Sequence, residues 1–595
     1  MDAKKNEVWD LSKIYRSEED FLKDLALVDS KIIPEYTGLK GKLSTDDGLT
    51  KFFALTRETE ALLSRLAEFA QMRADLDRKN VANVTDESKV ELSFSKLNSA
   101  SSYTDPEILA LGKDKVDGFI RVHPENKDMQ RQMDLLFRKK EHILSPALEK
   151  LISDFGPITG EGANLYSQLT VSDYTPKKIK LTDGKEVEVN LSNWTTLEEE
   201  AKNEEDRKNI FLSLYSWYDE HKNTYGEIYS NVVQSELSEM KARGYKSILD
   251  SHLDSNKIPE SVFLNLIDVA STNAAPLHKY YEIRRKYLGL DKHRSYDRFI
   301  PLARSEKKYT FEEAQQIFFD SIKDYPEEYQ EKAKDVNKAG YIDVYPKAGK
   351  RTGGYSSGGD NIHPYILLNF TGSLEDVFTL AHESGHSVHT LYSEQYQPLM
   401  NQNYTIFVAE IASTFNEHNL LDYFLKKGNL SRNDKIALLQ KSIDQIVSTF
   451  YRQTLFGHYE YLVSQMAERN EPINYEVLNK TMQGLYHTYY GIDISEEVLK
   501  PMVWAYIPHL FYTPFYVYQY ATSFTASMLI YKKAKESRKG FEDYLKMLSL
   551  GSSLDPIDEV KIAGVDLTKK DAFLSVTNRM EELVDTLEKV LSEKE

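Results

Sequence analysis

Along most of the chain apolar residues return every three or four positions, as in Leu62, Leu63, Leu66 and Phe69, or Leu438, Leu439, Ile443 and Ile446. That spacing lines one face of an α-helix and predicts a mainly α fold. Two stretches break the rhythm. In 178–190, Ile179 and Leu181, then Val187 and Val189, alternate with polar residues on either side of Asp183-Gly184. A two-residue period around Asp-Gly predicts a β-hairpin with a type I′ turn. In 341–370, YIDVY and YILLNF flank a loop rich in Gly, Ser and Asn, which predicts a small sheet set within the helical protein. The organisation expected is an N-terminal helical region 1–110, a middle segment 111–195 carrying the hairpin, and a large region 196–595 holding the chemistry.

Residues 501–531 contain no Asp, Glu, Lys or Arg. Pro501, Pro508, Pro514 and six tyrosines interrupt the stretch, so it fails as the ~20 apolar residues of a membrane-spanning helix and is expected to be buried or to line a cavity. The N-terminus, MDAKKNEVWDLSKIY, has no apolar core of a secretory signal, so a cytoplasmic protein is expected. The 595-residue chain is 41% hydrophobic and 28% charged, enough to bury a large core without covalent staples. It has no cysteine, which excludes disulfides, Cys-ligated metals and thiol nucleophiles. Asp and Glu number 93 against 75 Lys and Arg, a net charge of −18, so nucleic acid is not an expected partner.

The most specific chemistry lies in AHESGH, 381–386. His382 and His386 are four residues apart, so on a helix both imidazoles leave one face at a spacing that can grip a cation. Glu383 sits about 100° round the helix, where it cannot easily join the same coordination sphere but can reach a water on the metal. Zinc peptidases use this H-E-x-x-H arrangement: two neutral nitrogens hold Zn²⁺ and the carboxylate takes a proton from the water. Chance placement of 14 histidines and the glutamates would give roughly 0.03 such matches in this chain. Ser373 followed by Asp376 resembles a capping box, and Leu374, Val377, Phe378, Ala381, Gly385 and Val388 form an apolar stripe. The competing reading is two satisfied histidines on a core helix.

A catalytic zinc needs a third protein ligand and an open fourth position. His389 is too far along, since the helix rises about 10 Å from His382 and no Gly breaks it after His386. It is read as supporting a ligand or facing substrate, with direct ligation as the alternative. Glu410 is the better ligand, the only charged residue between Gln395 and Asn416, where a buried carboxylate calls for a cation. Glu417, two turns on, could hydrogen-bond a ligating histidine or lie at the surface. His509, with Tyr512, Tyr516, Tyr518 and Tyr520 after it, could donate hydrogen bonds to a tetrahedral oxyanion, with aromatic core packing as the alternative. Gly349, Gly353, Gly354, Gly358 and Gly359 mark a loop that is not a phosphate-binding loop, and the strand after it could pair with an extended peptide.

VWDLSKIY, FAQMRADLDRKN, KRTGGYSSGG, AHESGH, FVAEIASTFNEH and IPHLFYTPFYVYQYATS together make the chain resemble the oligoendopeptidase F group of the thimet oligopeptidase (M3) family of zinc metallopeptidases over nearly its whole length. The resemblance implies a two-lobed helical bowl with a deep central channel, a small β-sheet near the active site, one Zn²⁺ per chain and short unstructured oligopeptides as substrates. It carries the family's metal ligands onto His382, His386 and Glu410, and its catalytic glutamate onto Glu383. The family's transition-state histidine falls on His509, and its tyrosine on Tyr516 or Tyr520. The function expected is a zinc endopeptidase. The alternatives are a zinc carboxypeptidase of similar helical build or a non-catalytic peptide-binding protein.

Overall fold

The two apolar stripes that predicted helices lie on long helices, one in each of two compact units. Asp46–Leu76 starts where the Thr45 side chain accepts the Gly48 N–H, with Asp46 and Asp47 in the first turn facing the positive end of the helix dipole. Leu62, Leu66 and Phe69 from its stripe are buried, and Leu63 packs against the same cluster. Arg432–Ile446 is opened by a capping box between Ser431 and Asp434. It buries Leu438, Leu439, Ile443 and Ile446 and packs on Lys570–Ser592.

The structure, a computed structural model, describes residues 7–427, 430–497 and 499–593. The fold is mainly α with two small sheets. Each unit is assembled from three separated stretches: 1–141, 306–423 and 530–565 in the first, 142–305, 424–529 and 566–595 in the second. This division differs from three consecutive regions with boundaries at 110 and 195. Composition registers neighbours in sequence, whereas compactness registers contacts between distant segments.

In the second unit β1 (Lys177–Lys180) pairs antiparallel with β2 (Glu186–Val189), where the alternation expected a hairpin. Its turn is not type I′. Gly184 has φ 89 but Asp183 is not among the positive-φ residues, and the bonds Gly184 N–H to Leu181 O and Leu181 N–H to Lys185 O enclose three residues. That is the type I turn plus left-handed glycine of a three-residue loop, required because the register leaves one residue more than a two-residue turn can hold. The 501–531 stretch is broken into the short helices Val503–Tyr506 and His509–Tyr512, followed by Tyr518–Glu536. Among the described residues no helix is long and apolar enough to cross a membrane.

In the first unit β3 (Ile342–Asp343), β4 (Tyr355–Gly359) and β5 (Ile362–Leu367) form a sheet of order β3-β5-β4. YIDVY contains β3 and YILLNF the second half of β5, as expected. The Gly- and Ser-rich segment between them is itself strand β4, joined to β5 by Asp360 and Asn361 at φ 54 and 68. Two successive positive φ angles make the tight turn that matches strand twist, a signal hidden because neither residue is Gly. Trp9 of the VWDLSKIY opening donates its indole N–H to Ile366 O at 2.8 Å and packs edge-on against Tyr355 and Tyr365.

Lys350 fixes the loop before β4. Its ammonium group is fully buried, 2.6 Å from Asp343 Oδ1, and donates to the backbone carbonyls of Asp343, Tyr345 and Leu368. Removing one member of such a buried pair strands the other charge. Lys350→Met should therefore lower unfolding free energy by about 3–5 kcal/mol in denaturant titration, and adding Asp343→Leu should recover much of the loss. A single variant as stable as the parent would show that the pair does not hold the loop.

Candidate metal centre

The helix Leu374–Tyr396 starts at the expected capping box, with Ser373 Oγ accepting the Asp376 N–H and the Asp376 carboxylate accepting the Ser373 N–H. It packs by the apolar stripe through Val377, Phe378, Ala381 and Val388, all buried, which leaves His382 and His386 half-buried at its edge. The helix Ile406–Lys427 crosses it at backbone contact. A Cβ built on Gly385 would stand 2.5 Å from Ala412 O and 2.7 Å from Ser413 Cα, so no side chain fits there. Asn416 ties the crossing, donating to Ala381 O at 3.0 Å while its Oδ1 accepts the Tyr329 hydroxyl at 2.7 Å.

This close approach brings Glu410 to the histidines. His382 Nε2 and His386 Nε2 are 3.2 Å apart, and Glu410 Oε2 is 3.4 Å from each. Four ligands around zinc at ~2.0–2.1 Å stand about 3.3–3.4 Å from one another, so these three atoms have the spacing of one face of a coordination tetrahedron. Among the described residues this is the group of His, Asp and Glu side chains able to hold a metal ion. Ser413 Oγ donates to Glu410 Oε2 at 2.9 Å, aiming the oxygen that faces the rings. Glu417 Oε1 lies 2.5 Å from His382 Nδ1. A carboxylate on Nδ1 fixes the tautomer that leaves the Nε2 lone pair for a metal. Of the two readings of Glu417, the bond to the histidine is the one observed.

The electrostatics suit a cation. Burial works against a charge on His382, but its hydrogen bonds to Glu410 and Glu417 outweigh burial and hold its pKa well above the usual value. Burial would raise the Glu410 carboxyl, yet hydrogen bonds to the two imidazoles hold it well below the usual range. Glu383 lies outside the triad and is buried. Burial pushes its carboxyl up against the pull of His382 and His386, and the charges of Glu410 and Glu417 add to the rise. Its Oε1 faces Gly354, where a Cβ would stand 3.4 Å away.

His389 does not join the triad. It is 2% exposed and stacks on Tyr404 with ring centroids 3.7 Å apart. Burial, with the neighbouring His386, lowers its pKa to about 3, so it packs as a neutral ring. His509, Tyr516 and Tyr520 belong to the second unit and cluster with one another. His509 stacks parallel to Tyr516 at 5.8 Å and lies edge-on to Tyr520 at 6.4 Å, all three half-buried. Burial lowers the His509 pKa. Tyr518, by contrast, is buried core.

Ser413 and Asn416 were not singled out by sequence reasoning, and Gly385 and Gly354 were named only as part of an apolar stripe and of a glycine-rich loop, without the close approaches they permit. A glycine inside a helix is unfavourable by about 1 kcal/mol against Ala, and that cost was the available signal for a backbone contact at Gly385. Gly385→Ala should lower stability by about 1–3 kcal/mol and weaken divalent-metal binding, read by denaturant titration and chelator competition. Unchanged values in both would mean the helices tolerate separation. Glu417→Ala should leave the fold intact and weaken metal affinity about 10–100-fold in the same competition. Parental affinity would remove Glu417 from any role in holding His382.

Comparison with known proteins agrees with this geometry. The family model described as peptidase family M3 matches residues 197–579, and one described as oligopeptidase F matches 107–175. Oligopeptidase PepF of Bacillus subtilis is 34% identical over 595 residues, covering 99% of this chain and 88% of its own. A Chlamydophila abortus crystal structure superposes with TM-score 0.88 at 29% identity over 99% of both chains. The structure of oligoendopeptidase-F from Enterococcus faecium does so with TM-score 0.76 at 25% identity, over 98% of this chain and all of that one. With the family model covering most of its length and the His-His-Glu triad at its crossing helices, the chain belongs to peptidase family M3 and is a metallopeptidase.

Proposed function

We propose that the protein is a zinc-dependent endopeptidase that cleaves short unstructured oligopeptides. The observation that carries the reading is the triangle of His382 Nε2, His386 Nε2 and Glu410 Oε2, with edges of 3.2–3.4 Å and Glu383 beside it. Two imidazoles and one carboxylate are a donor set suited to zinc with a position left for water. Zinc bound there supplies Lewis acidity, polarising a carbonyl and acidifying water.

The chain's own groups do the rest. Glu383 accepts a proton from the attacking water and delivers it to the leaving amine. Its buried surroundings favour this, because they raise its carboxyl and so make its carboxylate a stronger base. His509 and Tyr516 or Tyr520 donate hydrogen bonds to the oxyanion of the tetrahedral transition state. Their half-exposed, mutually packed rings support that role. Among the described residues strand β4 pairs with β5 alone, and its other edge is the one on which an extended peptide would pair. Pairing through the backbone ignores side chains and suits a substrate defined by length rather than sequence. The names of the relatives, oligopeptidase and oligoendopeptidase, support internal cleavage of short peptides.

Metal analysis of the purified protein should find one zinc per chain. Chelation should abolish cleavage of a peptide blocked at both ends, and added zinc should restore it. Glu383→Gln should keep zinc and lower kcat by about 10²–10⁴-fold, whereas Glu410→Ala should lose the metal itself. Near-parental turnover of Glu383→Gln would remove Glu383 from the reaction. Failure to cut any end-blocked peptide would favour an exopeptidase.

A further inference from the structure

The turn that joins His509 to Tyr516 has an unusual conformation. Thr513 N–H donates to His509 O at 2.9 Å, closing the short helix, and Tyr516 N–H donates to Thr513 O at 3.2 Å. Between them Pro514 takes the second turn position and Phe515 the third, with φ 55 at Phe515. Proline followed by a positive φ is the type II pattern, whose third position favours Gly or Asn. A phenylalanine there persists only if its surroundings over-determine it.

The surroundings do so from two sides. The Phe515 ring is buried against His252 and Phe263, with ring centroids 5.0 and 5.8 Å away. Its backbone N–H, which the turn bond leaves unused, donates to Glu460 Oε1 at 2.7 Å. Glu460 is 3% exposed, and its Oε2 has no partner among the described residues. Its helix, Arg452–Glu468, comes close to the turn because Gly457, one turn earlier, would place a Cβ only 3.4 Å from Tyr518 Cβ. The competing type I turn differs by rotation of the Pro514–Phe515 peptide, which would swing the N–H away from Glu460 and leave it buried without a partner.

We propose that Glu460 is a positioning residue: by capturing the Phe515 N–H it selects the type II turn and so fixes the parallel packing of His509 on Tyr516. The inference rests on the roles given above to His509 and the tyrosines. Glu460 lies 49 residues before His509 in the sequence and, among the described residues, makes no ion pair with a cation; burial pushes its carboxyl up to about 8, and the Phe515 N–H is the donor its Oε1 meets.

The test uses the full-length zinc-loaded enzyme and an end-blocked fluorogenic peptide. Glu460→Leu, which removes the acceptor, should lower kcat on the order of 10–100-fold with zinc content and KM little changed, because a misplacement of catalytic donors by about 1 Å acts on the transition state. Glu460→Gln, whose amide oxygen accepts the same N–H, should stay within about threefold of the parent. Should the leucine variant fold poorly, Glu460→Asp withdraws the acceptor by one methylene and should show a smaller fall in kcat. Adding Glu460→Leu or Glu460→Asp to a His509→Ala, Tyr516→Phe background should cost little more, because the groups it positions are gone. Parental kcat in both the leucine and aspartate variants, equal losses in Gln and Leu, or fully multiplicative losses in the combined variant would each overturn the inference. His509→Ala with parental kcat would instead sink the assignment of His509, and this inference with it.

Discussion

Two helices meeting at backbone distance, with no side chain between Gly385 and the Ala412–Ser413 peptide, is the contact on which the candidate metal centre depends. The histidines lie on one helix and the carboxylate on the other, so the size of the triangle is set by how closely the two axes approach. A single β-carbon at 385 would collide with main-chain atoms, which cannot rotate aside as a side chain can. The same crossing explains why several residues of Ile406–Lys427 act together. Glu410, Ser413 and Glu417 follow at three- and four-residue steps along one face, while Asn416 beside them holds the Ala381 carbonyl.

The crossing also concentrates charge. Three carboxylates, Glu383, Glu410 and Glu417, surround two imidazoles in a largely buried setting, and the proton affinities of His382, Glu383 and Glu410 are shifted by their neighbours. Such a cluster is costly to bury unless a cation balances it. Glu410 and Glu417 favour a proton on His382, so a metal held there would displace that proton.

Much of this was legible in the sequence because the relevant signals are local. The capping box at Ser373, the four-residue histidine spacing and the isolation of Glu410 in an apolar run each follow from one stretch of chain and one helical period. What was hidden depends on segments meeting. Tyr404 and His389 are fifteen residues apart, and only the folded chain shows them stacked. Lys350 reads as a surface lysine until four oxygens from Asp343, Tyr345 and Leu368 close on its ammonium group. The Asp360-Asn361 turn escaped because strand residues rich in Gly and Ser imitate a loop. The hairpin at 177–189 was placed correctly but given the wrong turn, since a one-residue difference in register is invisible to alternation.

The threading of the chain through the two units carries a consequence for biosynthesis. The first unit needs residues 530–565 and the second needs 566–595, including Lys570–Ser592, which covers Arg432–Ile446. Neither can close its apolar interior while most of the polypeptide is still emerging from the ribosome. Until those later segments are made, the earlier helical layers of each unit stand without the partners that cover them, so the units cannot be completed one after the other along the chain.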